Sequence, residues 1–142
     1  MRASIVLANF AKISDGMVDA LGVGWTYTGP GPITFFATGI VTCDWHELNQ
    51  EHTLRLELLD ADGKAVPLPQ NDEPILAEIK FEIGRPPGTK HGTSFNFPFA
   101  IPFGAFVLTP GEQYVVAMSI DGESNDAWRL PFTIRDAPPE QG

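Results

Sequence analysis

Proline and glycine divide this chain into short segments, and their spacing restricts the fold more than any other feature of the sequence. The chain has 13 prolines and 14 glycines among its 142 residues. Proline breaks a helix interior, and glycine costs a helix about 1 kcal/mol relative to alanine. Long helices are therefore excluded, and the segments between the breaks are expected to form strands and loops.

Alternating apolar and polar residues predict strands in these segments. In segment 75–83, apolar residues fill the odd positions, while Glu78, Lys80 and Glu82 fill three of the four even ones. The other predicted strands are 4–10, 17–27, 33–43, 53–60, 93–99, 103–108, 114–120 and 127–135. We expect an all-β fold, an antiparallel two-sheet sandwich of eight to nine strands with an immunoglobulin/fibronectin III-like Greek key.

The length and composition predict one domain. A chain of this size with 43% hydrophobic and 19% charged residues can bury a full core. We expect residues 1–136 to form a single β-sandwich domain and residues 137–142 to form a disordered C-terminal tail. One short helical turn is predicted near Asp44, because Asp44 and Glu47 have the spacing of a capping box.

The net charge of −9 limits the class of partner. A protein that binds nucleic acid or an anionic membrane without sequence or lipid specificity needs positive charge, so we expect neither partner. A single cysteine excludes a disulfide within the chain. The apolar run at residues 4–8 is too short for a signal peptide, so we expect an intracellular, cytoplasmic protein that is not secreted.

Residues suited to catalysis are few. The only cysteine and histidines are Cys43, His46, His52 and His91. They form no recognisable nucleophile–base pattern, and no serine occupies a Gly-x-Ser-x-Gly motif. Zinc would need four ligands in close pairs. We therefore expect no enzyme, no catalytic residue, no cofactor and no resident metal.

Two small ligands remain as alternatives, calcium and carbohydrate. If successive strands alternate in direction, loops 11–16, 44–51, 67–74 and 121–126 share one end of the sandwich, and that end carries most of the negative charge. The opposite end would hold loops 29–32, 60–63, 84–92 and 109–112. Calcium would then bind among Asp15, Asp72, Asp121 and Asp126. A sugar would stack on Trp25, Trp45 or Trp128.

A protein partner is the leading expectation. Phenylalanines are dense between Phe95 and Phe106, and Pro98 and Pro102 interrupt the same segment. Proline is confined to edge strands or bulges, and an apolar edge strand favours pairing with another chain. We expect this edge and the long 84–92 loop to bind a protein partner or a second copy. The predicted contact residues are Arg85, Lys90, His91, Phe95, Phe97 and Phe99.

Two resemblances accompany these predictions. The segment Leu108-Thr109-Pro110-Gly111-Glu112-Gln113-Tyr114 resembles the tyrosine corner of fibronectin type III-like sandwiches, in which the tyrosine hydroxyl binds the chain just upstream. Other segments resemble an uncharacterised family of small all-β proteins from actinobacteria and their phages. These segments include Leu7-Ala8-Asn9-Phe10-Ala11, Leu21-Gly22-Val23-Gly24-Trp25, Trp45-His46-Glu47-Leu48-Asn49, His52-Thr53-Leu54-Arg55-Leu56 and Leu130-Pro131-Phe132.

The second resemblance implies no catalytic role for any residue. Together with the edge strand, it leads us to expect a non-enzymatic interaction or structural module. The resemblance further implies a phage virion component or a phage accessory protein, located inside the cell or assembled into a virion.

Overall fold

The structure, a computed structural model, describes residues 1–136, so the predicted tail at 137–142 lies outside the described residues. Nine strands and one 3₁₀ turn (Trp45–Glu47) occur in the described part. The strands are β1 (Arg2–Ser14), β2 (Met17–Val23), β3 (Tyr27–Thr28), β4 (Pro32–Cys43), β5 (His52–Asp60), β6 (Leu76–Phe81), β7 (Phe95–Val107), β8 (Gln113–Ile120) and β9 (Glu123–Ile134).

The strands form two sheets, which confirms the predicted all-β sandwich. One sheet has the order β2-β1-β4-β7, and the other has the order β3-β9-β8-β5-β6. The pairing is antiparallel apart from the short parallel pair of β3 with β9. The first strand lies inside its sheet, whereas the immunoglobulin order places it at an edge. The likeness to immunoglobulin domains is therefore one of architecture.

Two predicted strand boundaries differ from the structure. Segments 93–99 and 103–108 form the single strand β7, because Pro98 and Pro102 both fit in an edge strand. Segment 17–27 instead breaks at Gly24, whose φ is +85° and whose N–H donates to the Leu7 carbonyl at 2.8 Å. That break sends β2 to one sheet and β3 to the other.

The core lies between the inner faces of the sheets. Leu54, Leu56 and Leu58 of β5 are fully buried, and the residues between them face outward. Phe35 of β4 stacks on Phe103 in its own sheet and contacts Phe132 of the other sheet edge-on. The two sheets therefore share one continuous core.

Two hairpin turns, the predicted tyrosine corner and the predicted 3₁₀ turn have well-defined local geometry. The two-residue turns Asp15-Gly16 and Asp121-Gly122 have positive φ at both positions, as two-residue hairpin turns favour. Tyr114 makes the predicted tyrosine-corner contact, because its hydroxyl accepts a hydrogen bond of 3.0 Å from the Thr109 N–H. At the 3₁₀ turn, the Asp44 N–H donates to the Glu47 carboxylate at 2.8 Å.

The predicted division of the loops between the two ends is wrong. It required a strand at 65–66, but this segment makes only an isolated bridge, Leu59 with Ala65. β5 instead pairs directly with β6, with His52 opposite Phe81. Loop 82–94 therefore lies at the same end as loop 44–51, and loop 61–75 lies at the other end.

The predicted calcium ligands do not come together, because the break at Gly24 and the missing strand at 65–66 leave Asp15 and Asp72 at the end away from Asp121. Asp121 is bound to His52 at the end where β1 begins, whereas Asp15 follows the thirteenth residue of β1, about 40 Å along the strand. Asp72 lies in loop 61–75, at the end away from Asp121. Within residues 1–136, no group of three or more His, Cys, Asp and Glu side chains is arranged to hold a metal ion.

In the same range, no helix is long and apolar enough to cross a membrane.

Candidate interaction site

One side of the sandwich has an edge strand from each sheet. β6 ends the five-stranded sheet, and β7 ends the four-stranded sheet. The rings of Phe81 in β6 and Phe97 in β7 stack at 4.2 Å between centroids, so the two edges lie side by side. Loop 82–94 joins them. We call β6, β7 and loop 82–94 the β6–β7 side.

The predicted edge position of the phenylalanine-rich segment is confirmed. Among the described strands, β7 pairs with β4 alone. Pro98 and Pro102 face outward and lie opposite Ile40 and Phe36. Proline has no N–H, so a partner strand added along this edge would find two donors missing.

The three predicted contact phenylalanines point toward the opposite sheet. Phe99 is 2% exposed and belongs to the core, so its side chain is not offered to a partner. Phe95 and Phe97 are half-buried at the margin of the core. Alternation along a strand explains this, because residues 95, 97 and 99 share the inner face. Only the two outermost rings reach the surface.

Loop 82–94 is fastened to the 3₁₀ turn through Trp45. The Arg85 guanidinium lies 4.3 Å from the centroid of the Trp45 ring and donates to the Trp45 carbonyl at 2.6 Å. The His91 ring lies 4.9 Å from the Trp45 ring. The Arg85 N–H also donates to the Asn49 side chain at 3.2 Å.

The structure thus brings two of the three predicted polar contact residues together on one tryptophan. Lys90, the third, is exposed in the same loop, and its carbonyl accepts hydrogen bonds from Thr93. The part played by Trp45 was not predicted, because loops 44–51 and 84–92 were expected at opposite ends of the sandwich. The pairing of β5 with β6 brings these two loops to the same end, and knowing it would have placed Trp45 beside loop 82–94.

A polar cavity of about 280 Å³ opens beside this loop cluster. Its lining residues are Met1, His46, Glu47, Gln50, His52, Ile120, Asp121, Glu123 and Trp128. His52 is 5% exposed and joins two segments here. Its Nδ1 lies 2.7 Å from the Asp121 carboxylate, and its Nε2 lies 2.7 Å from the Glu47 carbonyl.

Both partners of His52 are acceptors, so both ring nitrogens must carry a proton for the two bonds to form. Burial lowers the pKa of His52, but the hydrogen bonds to Glu47 and Asp121 outweigh it and leave the pKa raised. Burial raises the pKa of Asp121, but hydrogen bonds from His52 and from the Thr53 N–H leave it lowered. When its ring is protonated, His52 therefore forms an ion pair with Asp121, whose side chain is 42% exposed.

The model of a family of unknown function, DUF6941, matches residues 3–135. The chain belongs to DUF6941. The match covers both sheets, and the predicted membership of an uncharacterised family is confirmed at that level. None of the curated proteins is significantly similar to the chain.

His52 and Cys43 are the two buried residues among the cysteine and histidines of this DUF6941 member. His52 has no free nitrogen lone pair in its paired state, so it is not available there as a general base. Cys43 is 1% exposed, and burial, followed by the nearby Glu47 charge, raises its pKa. A thiol with a raised pKa is a poor nucleophile at neutral pH.

The tryptophans have structural roles in this DUF6941 sandwich. Trp25 packs edge-on against Phe35 and Phe132, and Trp128 is 6% exposed. Trp45 is covered by Arg85 and His91. They do not combine into one stacking surface for a sugar.

Proposed function

We propose that this DUF6941 member is a non-enzymatic protein–protein interaction module that binds a protein partner along the β6–β7 side. The observation that carries the proposal is that the unpaired edges of both sheets lie side by side there, joined by the loop anchored on Trp45. Edge strands leave backbone donors and acceptors open to another chain. A groove of about 200 Å³ also runs between segments 68–77 and 102–106 on this side.

The charge of the connecting loop supports the same surface. Loop 82–94 contains Arg85, Lys90 and one acidic residue, Glu82, in a chain with a net charge of −9. A partner with an acidic surface would meet attraction at this loop and repulsion over much of the remaining surface. Arginine and tryptophan are also enriched among the residues that dominate binding energy at interfaces.

Because Pro98 and Pro102 interrupt the edge, we propose that the partner contacts loop 82–94 and the first residues of β7, including Phe95 and Phe97, rather than adding a strand along the whole of β7. We further propose that the protein is a phage virion component or phage accessory protein, located inside the cell or assembled into a virion. The resemblance to actinobacterial and phage proteins supports that finer proposal.

A carbohydrate-binding module is the second candidate. The observation that favours it is the polar cavity of about 280 Å³, where Trp128 lies with His46, Gln50 and Glu123. Sugar binding there would quench tryptophan fluorescence. Titration with a panel of monosaccharides and oligosaccharides that leaves the fluorescence unchanged would exclude it.

Site-specific photo-crosslinking in the source cell tests the leading proposal. A photoreactive amino acid replaces Lys90 in one variant and Arg129, exposed on the outer face of β9, in the control. We expect a discrete heavier product from position 90 and none from position 129. Equal products at both positions, or no product at position 90 in a folded variant, would contradict the proposal.

A further inference from the structure

The outer face of the four-stranded sheet is apolar over its whole centre. Even-numbered residues of β1 and β4 face outward, and the register aligns Phe10 with Leu21 and Ser4 with Ile40. We call the residues Val6, Phe10, Leu21, Val23, Phe36, Ile40, Pro98 and Pro102 the apolar face. Five of them, at positions 6, 10, 21, 23 and 40, are 40–69% exposed, so this surface meets solvent in the single chain.

The polar groups around the apolar face are arranged as at a protein interface. Between the row of Ser4 and the row of Phe10, none of the outward positions of the sheet carries a charge. Lys12 lies opposite Asp19 beyond one end, and Arg2 lies 3.7 Å from Asp44 beyond the other. An apolar centre with a polar rim is the anatomy of a stable interface.

The one buried polar side chain of the centre needs no water. Thr38 is 1% exposed, and its hydroxyl donates to the Phe99 carbonyl at 2.8 Å. A covering surface would therefore leave no hydroxyl without a partner. This makes the face suitable for complete desolvation.

We infer that the apolar face binds the same face of a second copy of this chain. Two copies that each carry −9 repel each other over most of their surfaces. The apolar face lacks formal charge, so it is the region where two such chains can approach without that cost. A twofold dimer brings identical patches together and needs no second kind of surface.

The apolar face and its polar rim are together large enough for a dimer interface. With the charged rim included, the surface spans three to four strands about 4.8 Å apart and the eleven β1 residues from Arg2 to Lys12 at about 3.3 Å each, or roughly 500–700 Å² per copy. The two copies would together bury about 1,000–1,400 Å², the lower end of the range for stable interfaces. The uncharged centre alone, over the seven β1 residues from Ser4 to Phe10, covers roughly 300–450 Å², and apolar patches of that size are often functional surfaces.

Sedimentation equilibrium of the full chain tests the dimer over protein concentrations from about 1 to 200 µM, the range in which a micromolar dimer dissociates. The mass is expected to rise from 15.5 kDa toward twice that value. Leu21→Lys, at a side chain 69% exposed, should hold the protein near the monomer mass throughout. The matched control is Leu76→Lys, because Leu76 is 38% exposed on the outer face of the other sheet.

The control should dimerise as the unmodified chain does. A monomer mass at every concentration, or a dimer that Leu76→Lys disrupts and Leu21→Lys does not, would overturn the inference. Loss of both dimers would do so as well, because the contact would then not be specific to the apolar face. Photo-crosslinking from position 90 in the Leu21→Lys background separates this inference from the proposed function, since that contact uses the β6–β7 side.

Discussion

The outer faces of the two sheets differ sharply in chemistry. The five-stranded sheet presents charged side chains to water, with Arg55 2.7 Å from Glu57 and 4.0 Å from Glu78, and with Lys80 3.7 Å from Glu51. The four-stranded sheet presents the apolar face. Exposed ion pairs add little stability, so the charges on the first face chiefly keep it hydrated. The apolar face of the four-stranded sheet has no such charges, which is why we assign it a protein contact.

The inner faces should not show this difference, and substitutions there have the largest expected effect. Val41 of the four-stranded sheet and Leu56 of the five-stranded sheet are both fully buried. Leu56→Ala should cost about 2–5 kcal/mol of unfolding free energy. Val41→Ala should cost somewhat less, because it removes fewer carbon atoms.

Urea denaturation at a concentration where the chain is monomeric measures both costs. Val6→Ala is the matched control for Val41→Ala, since Val6 is 40% exposed on the apolar face. If Val6→Ala lowered the unfolding free energy as much as Val41→Ala, the apolar face would be part of a core within one chain. The contrast between the two outer faces would then fail.

The second effect is the pH dependence that the pair of His52 and Asp121 in the five-stranded sheet contributes. Because the pKa of His52 is raised, its contribution is fully present below pH 6.5 and is lost as pH rises through the folded-state value. The pKa of Asp121 is lowered, so its contribution is present above pH 3.8 and is lost as pH falls through its folded-state value. Stability from this pair is therefore greatest between those limits.

Chemical denaturation of the unmodified chain and of His52→Gln from pH 5 to 9 checks this dependence. His52→Gln should lower stability at pH 6 by about 1–3 kcal/mol, because a buried acceptor loses its donor, and should flatten the decline above pH 6.5. His46→Gln, on an exposed side chain of the same cavity, is the control and should keep the decline. An unchanged decline in His52→Gln would assign the pH dependence to another group.

The smallest effect concerns the charged face itself. Glu57→Gln removes one partner of Arg55 and should change stability by about 0.2–1 kcal/mol, since exposed pairs are well screened. The dimer mass should not change. A marked gain or loss of association in Glu57→Gln would show that the charged face also contacts another chain.

Local patterns in the sequence predicted much of the fold. The alternation in 53–60 placed Leu54, Leu56 and Leu58 inward, as observed. Asp-Gly hairpins and the tyrosine corner are also local, because a few adjacent residues determine their geometry. These features need no knowledge of the opposite sheet.

The remaining features depend on contacts between distant residues. The break at Gly24 is fixed by a bond to Leu7, and the stack of Arg85 on Trp45 joins residues 40 positions apart. Loop 61–75 has no alternation of apolar and polar residues that would show whether it contains a strand. The loops on either side of β6 were therefore assigned to the wrong ends of the sandwich. The apolar face was hidden because an outward apolar residue such as Ile40 looks in sequence like one buried on both faces of a sheet.

Hydroxyl-radical footprinting at about 1 and 200 µM protein tests the contrast between the two outer faces most directly. Our account predicts that labelling of Phe10, Leu21 and Ile40 falls at the higher concentration, while labelling of Leu76 and Tyr27 stays constant. Equal labelling of the apolar face at both concentrations would contradict it.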